Sequence, residues 1–132
     1  MKTVAKKRFQ TWFGVLSPTG HAVMAFATDH EAERARQLLV DNRFSQEDVT
    51  HYAKAEVMAE LEKSEEQAVN PIQIGQELAS VDKYLALAKQ GCGFLVVHAP
   101  EDEAAKRAVS LVKPLGLKLA EKYNPLTMEQ LW

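Results

Sequence analysis

Four histidines, three tyrosines and one cysteine are the residues of this chain best suited to acid–base, nucleophilic or metal chemistry near neutral pH. His98 stands out because it interrupts FLVVHA, the most apolar run in the sequence. An imidazole there serves either as a hydrogen-bonded residue at a strand's end or as the polar anchor of a pocket. That pocket would be formed with Phe94, Phe26 and Tyr84, with Tyr123, Lys122 and the NPLTMEQL turn at its rim. In an enzyme the same ring would be the acid–base group. His51 falls near the end of a second strand, at the edge opposite His98, so the two cannot share a metal within one chain. His21 begins the first strand, and side-chain alternation places it on the face opposite His98. His30 sits in a helix's first turn, in solvent. No pair has HExxH spacing, so neither a metal nor a cofactor is expected.

Cys92, being alone, forms no internal disulfide and no four-thiolate site; at the entry to an apolar strand it reads as a small buried hydrophobe and fits a reducing cytoplasm. GxSxG and Walker loops are absent. The glycines of GCG precede a strand, whereas a dinucleotide fingerprint follows one. No catalytic residue is therefore assigned, and the ligand or interface candidates are His98, Phe94, Phe26, Tyr84 and Tyr123.

The elements that position these residues follow from hydrophobic period. Residues 94–99 form a continuous apolar run suited to a strand covered on both faces. Pro100 ends it, Glu101, Asp102 and Glu103 complement a helix N-terminus, and Ala105, Ala108, Val109 and Val112 recur at helical spacing. Pro114 and Gly116 stop that helix, and 117–123 alternates as a strand with one wet face before a short closing turn. The same order occurs over residues 21–61: HAVMAFA as a strand, Thr28 and Glu31 as a capping pair, and Ala32, Ala35, Leu38 and Leu39 as a buried stripe. An offset of about seventy residues sets Glu31 on Glu103 and Ala32 on Ala104. With small gaps it sets Tyr52 on Tyr123, and Met58 and Leu61 on Met128 and Leu131. Two such βαβ halves in tandem predict an α/β (α+β) chain, a ferredoxin-like βαββαβ sandwich with strand order fourth, first, third, second.

Four stretches make up this single domain: an N-terminal arm or extra strand (1–20), a first half (21–52), a two-helix insertion (53–90) and a second half (91–132). The arm carries Lys2, Lys6, Lys7 and Arg8 without a following apolar run, which argues against a secretory signal. Ser17-Pro18-Thr19-Gly20 is a turn signature, so residues 12–16 are candidates to pair with the first strand. In the insertion, Val57, Met58 and Leu61 give one apolar stripe and Leu78, Val81, Tyr84, Leu85 and Ala88 another, with Gly91 as the closing cap. If equivalent residues of the two halves share a face, Ala22, Met24 and Phe26 lie with Phe94, Val96 and His98. Val23, Ala25 and Ala27 then lie with Leu95, Val97 and Ala99. Both faces are apolar, so the second must be covered by the inserted helices or by another subunit, and a homodimer is expected.

At 132 residues with 46% hydrophobic content the chain can bury a core, and a net charge of −2 argues against nucleic-acid binding. No stretch suits a membrane span. The run GFLVVHAPEDEAAKRAVSLVKPLGLKLAEKY with its TMEQL ending resembles the bacterial small general-stress proteins of the heat-induced type. The likeness covers residues 20–52 and 91–131, and the arm and inserted helices depart from it. It implies a stress-linked, non-catalytic protein and carries no catalytic residues. The expected function is thus that of a non-enzymatic cytoplasmic protein acting by oligomerisation or by binding a small molecule or protein partner. The alternative is a small enzyme of the dimeric α+β type using His98.

Overall fold

The computed structural model describes residues 20–67, 76–123 and 128–132. Its elements in chain order are β1 (His21–Phe26), α1 (Asp29–Asp41), β2 (Val49–Tyr52), α2 (Lys54–Gln67), α3 (Gln76–Lys89), β3 (Gly93–His98), α4 (Asp102–Val112), β4 (Leu117–Tyr123) and β5 (Met128–Gln130). Single 3-10 turns at Gln46–Asp48 and Lys113–Leu115 lead into β2 and close α4. The helix ends obey local chemistry. Thr28 Oγ1 accepts from the Glu31 amide at 3.1 Å and starts α1, as the capping pair predicts. Gly91, at φ 106°, ends α3 while the Cys92 amide reaches back to the Leu87 carbonyl at 3.1 Å. Pro100 lies just outside α4, whose cap residue is Glu101.

The five strands form one antiparallel sheet in the order β2-β3-β1-β4-β5. Its first four strands follow the order expected from the two halves. β5 takes the place of the closing turn expected there: Glu129 and Gln130 pair with Lys122 and Glu121. β1 bonds β3 along one edge and β4 along the other. Residues 12–16 are the sequence candidates to pair with it. Those residues lie outside the described ones. Nor does β4 have a wet face: of its seven residues only Lys118 is exposed, and Glu121 and Lys122 are buried.

The sheet separates two cores. On one face Ala22, Met24, Phe26, Leu95, Val97 and Ala120 pack against Ala32, Ala35 and Leu39 of α1 and Ala105, Ala108 and Val112 of α4. On the other, Val23, Ala25, Phe94 and Val96 pack against Val57 of α2 and Tyr84, Leu85 and Ala88 of α3. Both faces are apolar, as the sequence predicts, and the inserted helices cover the second.

The expected division of residues between the faces is overturned. Met24 opposes Leu95 and Val23 opposes Val96, and directly opposed residues of antiparallel strands share a face. Ala22, Met24 and Phe26 therefore lie with Leu95, Val97 and Ala99, and Val23 and Ala25 lie with Phe94 and Val96. The buried helical stripes explain the error: Ala32, Ala35 and Leu39 of α1 correspond to Ala105, Ala108 and Val112 of α4, an offset of 73. Ala32 thus belongs on Ala105, not Ala104. A slip of one residue sends every strand side chain to the opposite face. Met58 and Leu61 are not equivalent to Met128 and Leu131 either, since the first pair lies in a helix and Met128 begins a strand.

One position shows how closely α1 approaches the sheet. A Cβ on Gly93 would stand 2.7 Å from Asp29 Oδ1, 2.8 Å from Asp29 Cα and 2.9 Å from Ala32 Cβ. Two of these neighbours belong to backbone or to a short, packed side chain, so α1 itself must move to make room. Gly93→Ala is expected to cost about 1–3 kcal/mol, read as a lowered urea midpoint. A midpoint equal to wild type would refute the close approach.

Candidate functional site

On the face covered by α2 and α3, strand register arranges the side chains in rows. The terminal row holds Asp48, His98, His21 and Tyr123. His98 opposes His21, Asp48 immediately precedes Val49, which opposes Val97, and Tyr123 follows Lys122, which opposes Ala22. Next comes Thr50, Val96, Val23, Glu121 and Gln130, then Tyr52, Phe94, Ala25 and Leu119. Polar groups thus gather at one end of this face and apolar ones at the other.

Glu121 is the centre of that polar end. Its side chain is fully buried and is held by three donors on two other elements. Tyr84 OH donates to Oε1 at 2.8 Å, Gln130 Nε2 donates to Oε2 at 3.0 Å, and Lys83 Nζ also donates to Oε2. Tyr84 OH lies 2.9 Å from Tyr123 OH. Because the one phenolic hydrogen of Tyr84 goes to the carboxylate, Tyr123 is the donor in that second bond. The chain of donation therefore runs Tyr123 to Tyr84 to Glu121, and it clasps α3 to β4.

Burial, and then the neighbouring Tyr123 and Glu121, push the Tyr84 phenol well above the ordinary tyrosine range. A phenol whose folded-state pKa is raised adds stability that is fully present below the unfolded value, about 10, and is lost as pH rises beyond it. Stability is expected to fall steeply in the alkaline limb, and Tyr84→Phe to flatten that slope. Denaturant titrations above the ordinary tyrosine range check this, and an unchanged slope in the variant contradicts it.

The sequence candidates separate. Phe94 and Tyr84 meet edge to face with centroids 6.0 Å apart, and Tyr123 joins them through Tyr84. Phe26 lies in the opposite core and lines nothing with them. His98 is on the same face as Phe94 but two rows away, with its side chain 43% exposed, so these residues do not enclose it. Its neighbours are His21, with ring centroids 4.7 Å apart, and Asp48, whose Oδ1 is 3.6 Å from Nδ1. The placement of His21 and His98 on opposite faces is therefore corrected: they are directly opposed on one face.

Lys122, read from sequence as a pocket rim, points to the other face. Its buried Nζ donates to Pro100 O at 2.8 Å and to Asp102 Oδ1 at 2.7 Å, pinning the start of α4. That bond holds the Asp102 carboxyl below its usual range, so its contribution is lost as pH falls through the depressed value. His51 is tied to α1, with Nδ1 3.1 Å from Glu33 Oε1. Cys92 is buried in the second core, and burial pushes its thiol up, which suits an inert residue. Glu121, Lys83 and Gln130 are the members of the site that sequence reasoning missed. The one signal was parity: Glu121 shares the alternation of Leu119 and Tyr123.

Among the described residues, no three or more His, Cys, Asp or Glu side chains converge as a metal site, and no helix is long and apolar enough to cross a membrane. Comparison with family models, curated proteins and solved structures finds no match.

Proposed function

We propose that this chain is a non-enzymatic, ferredoxin-like binding protein whose ligand end is the row Asp48, His98, His21 and Tyr123. The stress-linked role implied by the resemblance to small general-stress proteins, and a cytoplasmic setting, belong to the same proposal. The observation that carries it is the division of labour along this face. Both Glu121 oxygens are occupied by Lys83, Tyr84 and Gln130, which builds a rigid wall. Beside that wall His98 reaches solvent and faces a carboxylate and a second imidazole.

Acid–base catalysis is less well supported. Asp48 could orient the His98 ring, but Phe94, Phe26 and Tyr84 do not form a water-excluding pocket around it. Self-association through the sheet is not required either, because the chain's own helices fill the face that called for a second subunit. Native mass spectrometry and sedimentation velocity test the reading together. A co-purifying small species should be lost in His98→Ala while the sedimentation coefficient stays unchanged. A species retained by His98→Ala, or a sedimentation coefficient that changes in that variant, overturns it.

A further inference from the structure

We propose that His21 and His98 form a two-imidazole site for a divalent transition-metal cation of the kind imidazole prefers, such as Cu2+, Ni2+ or Zn2+. The proposal rests on reading this row as the ligand end and names the ligand. The geometry fits. A metal–nitrogen bond is about 2.0–2.1 Å, and the ring centroid lies about 1.2 Å farther, so two imidazoles bound at about 90–110° have centroids about 4.5–5.3 Å apart. The His21 and His98 centroids are 4.7 Å apart, with the rings tilted 45°.

The pair is also preorganised. The two residues are directly opposed on adjacent strands, and the backbone beside them is fixed twice. The Ala99 amide donates to Gly20 O at 2.9 Å, and the Gly20 amide donates to Tyr123 O at 2.9 Å. Sites on such strands hold their geometry better than sites on loops. Asp48 faces Nδ1 of His98, the arrangement in which a carboxylate orients a ligating imidazole and leaves Nε2 for the ion. With two protein ligands the site keeps positions for water, as open rather than structural metal sites do.

The test is calorimetric titration of the full chain with Cu2+ alone and with Zn2+ alone, together with electron paramagnetic resonance of the Cu2+ form. One ion per chain with two nitrogen ligands is expected. Loss of even an outer-sphere partner costs about 10–100-fold in metal affinity, so His98→Ala and His21→Ala should each weaken binding at least about tenfold. His30→Ala should leave it unchanged. Circular dichroism of the half-exposed His98→Ala variant verifies folding and keeps that variant informative if His21→Ala does not fold. Equal affinity in wild type and His98→Ala, or loss of binding in His30→Ala, overturns the site. If no metal binds while a co-purifying organic species is lost in His98→Ala, the metal assignment fails and the binding-protein reading stands. If metal binds at the pair while a co-purifying organic species is indifferent to His98→Ala, the expectation of an organic ligand at this row fails and the metal site stands.

Discussion

Glu121→Ala is expected to destabilise the fold by about 1–3 kcal/mol, the cost of leaving a buried donor without its acceptor. The carboxylate is wholly enclosed, and its removal takes the acceptor from a buried hydroxyl. Tyr84 OH loses this acceptor inside the protein, where an unmet donor costs about 1–3 kcal/mol, whereas Gln130 is exposed and its amide can turn to water. Lys83 contributes least to the loss, because its side chain is 38% exposed and can turn to water. Glu121→Gln should cost less, since it keeps the volume and one carbonyl acceptor. Urea denaturation of the two variants checks the order. A Glu121→Ala cost below about 1 kcal/mol would mean that the clasp between α3 and β4 contributes little.

Why the sequence conceals this residue is instructive. Glu121 and Lys122 sit side by side in LKLAEKY, and in isolation two adjacent charges on a strand imply that at least one of them meets water. Here both are buried, on opposite faces. Glu121 finds its partners on α3 and β5, and Lys122 finds its partners at the head of α4. These partners lie nine to thirty-eight positions away, and no local period reports them. The α/β class, the order of the first four strands, the capping pair at Thr28 and the need for a cover on the second face were legible, because each follows from hydrophobic period or turn chemistry; whether the inserted helices or a second subunit supply that cover was not.

Registration between the two halves was not. Glutamates in a helix's first turn are interchangeable with respect to the helix dipole, and Ala104 and Ala105 are equally good mates for Ala32 by residue type. A one-residue choice between them decided which face every strand residue occupied. The consequence was functional as well as architectural. The wrong register drew Phe26 into a pocket it does not share and separated His21 from His98, the pair that the structure brings together.

Phe94→Ala is expected to cost about 3–5 kcal/mol, and the comparison that gives this number meaning is Met24→Ala, expected at about 2–5 kcal/mol. Met24 lies in the core under α1 and α4, which belong to the two repeated halves, whereas Phe94 lies in the core under the inserted helices. If α2 and α3 are an integral layer, deleting the Phe94 ring leaves a closed void. Tyr84 then loses the aromatic edge against which it packs, with centroids 6.0 Å apart, while its hydroxyl stays tied to Glu121. The void cannot collapse without breaking that bond, so the cost should stand near the top of the range. If the inserted helices were instead a cover that lifts readily, water would enter on truncation and the penalty would fall well below that of Met24→Ala. Urea midpoints for the two variants, with hydrogen exchange across α2 and α3, separate these cases. A Phe94→Ala penalty less than half that of Met24→Ala, with little protection in α3, would sink the two-core account. Equal penalties would mean that the sheet is loaded on both sides, with the Glu121 clasp closing the second core beneath the histidine row.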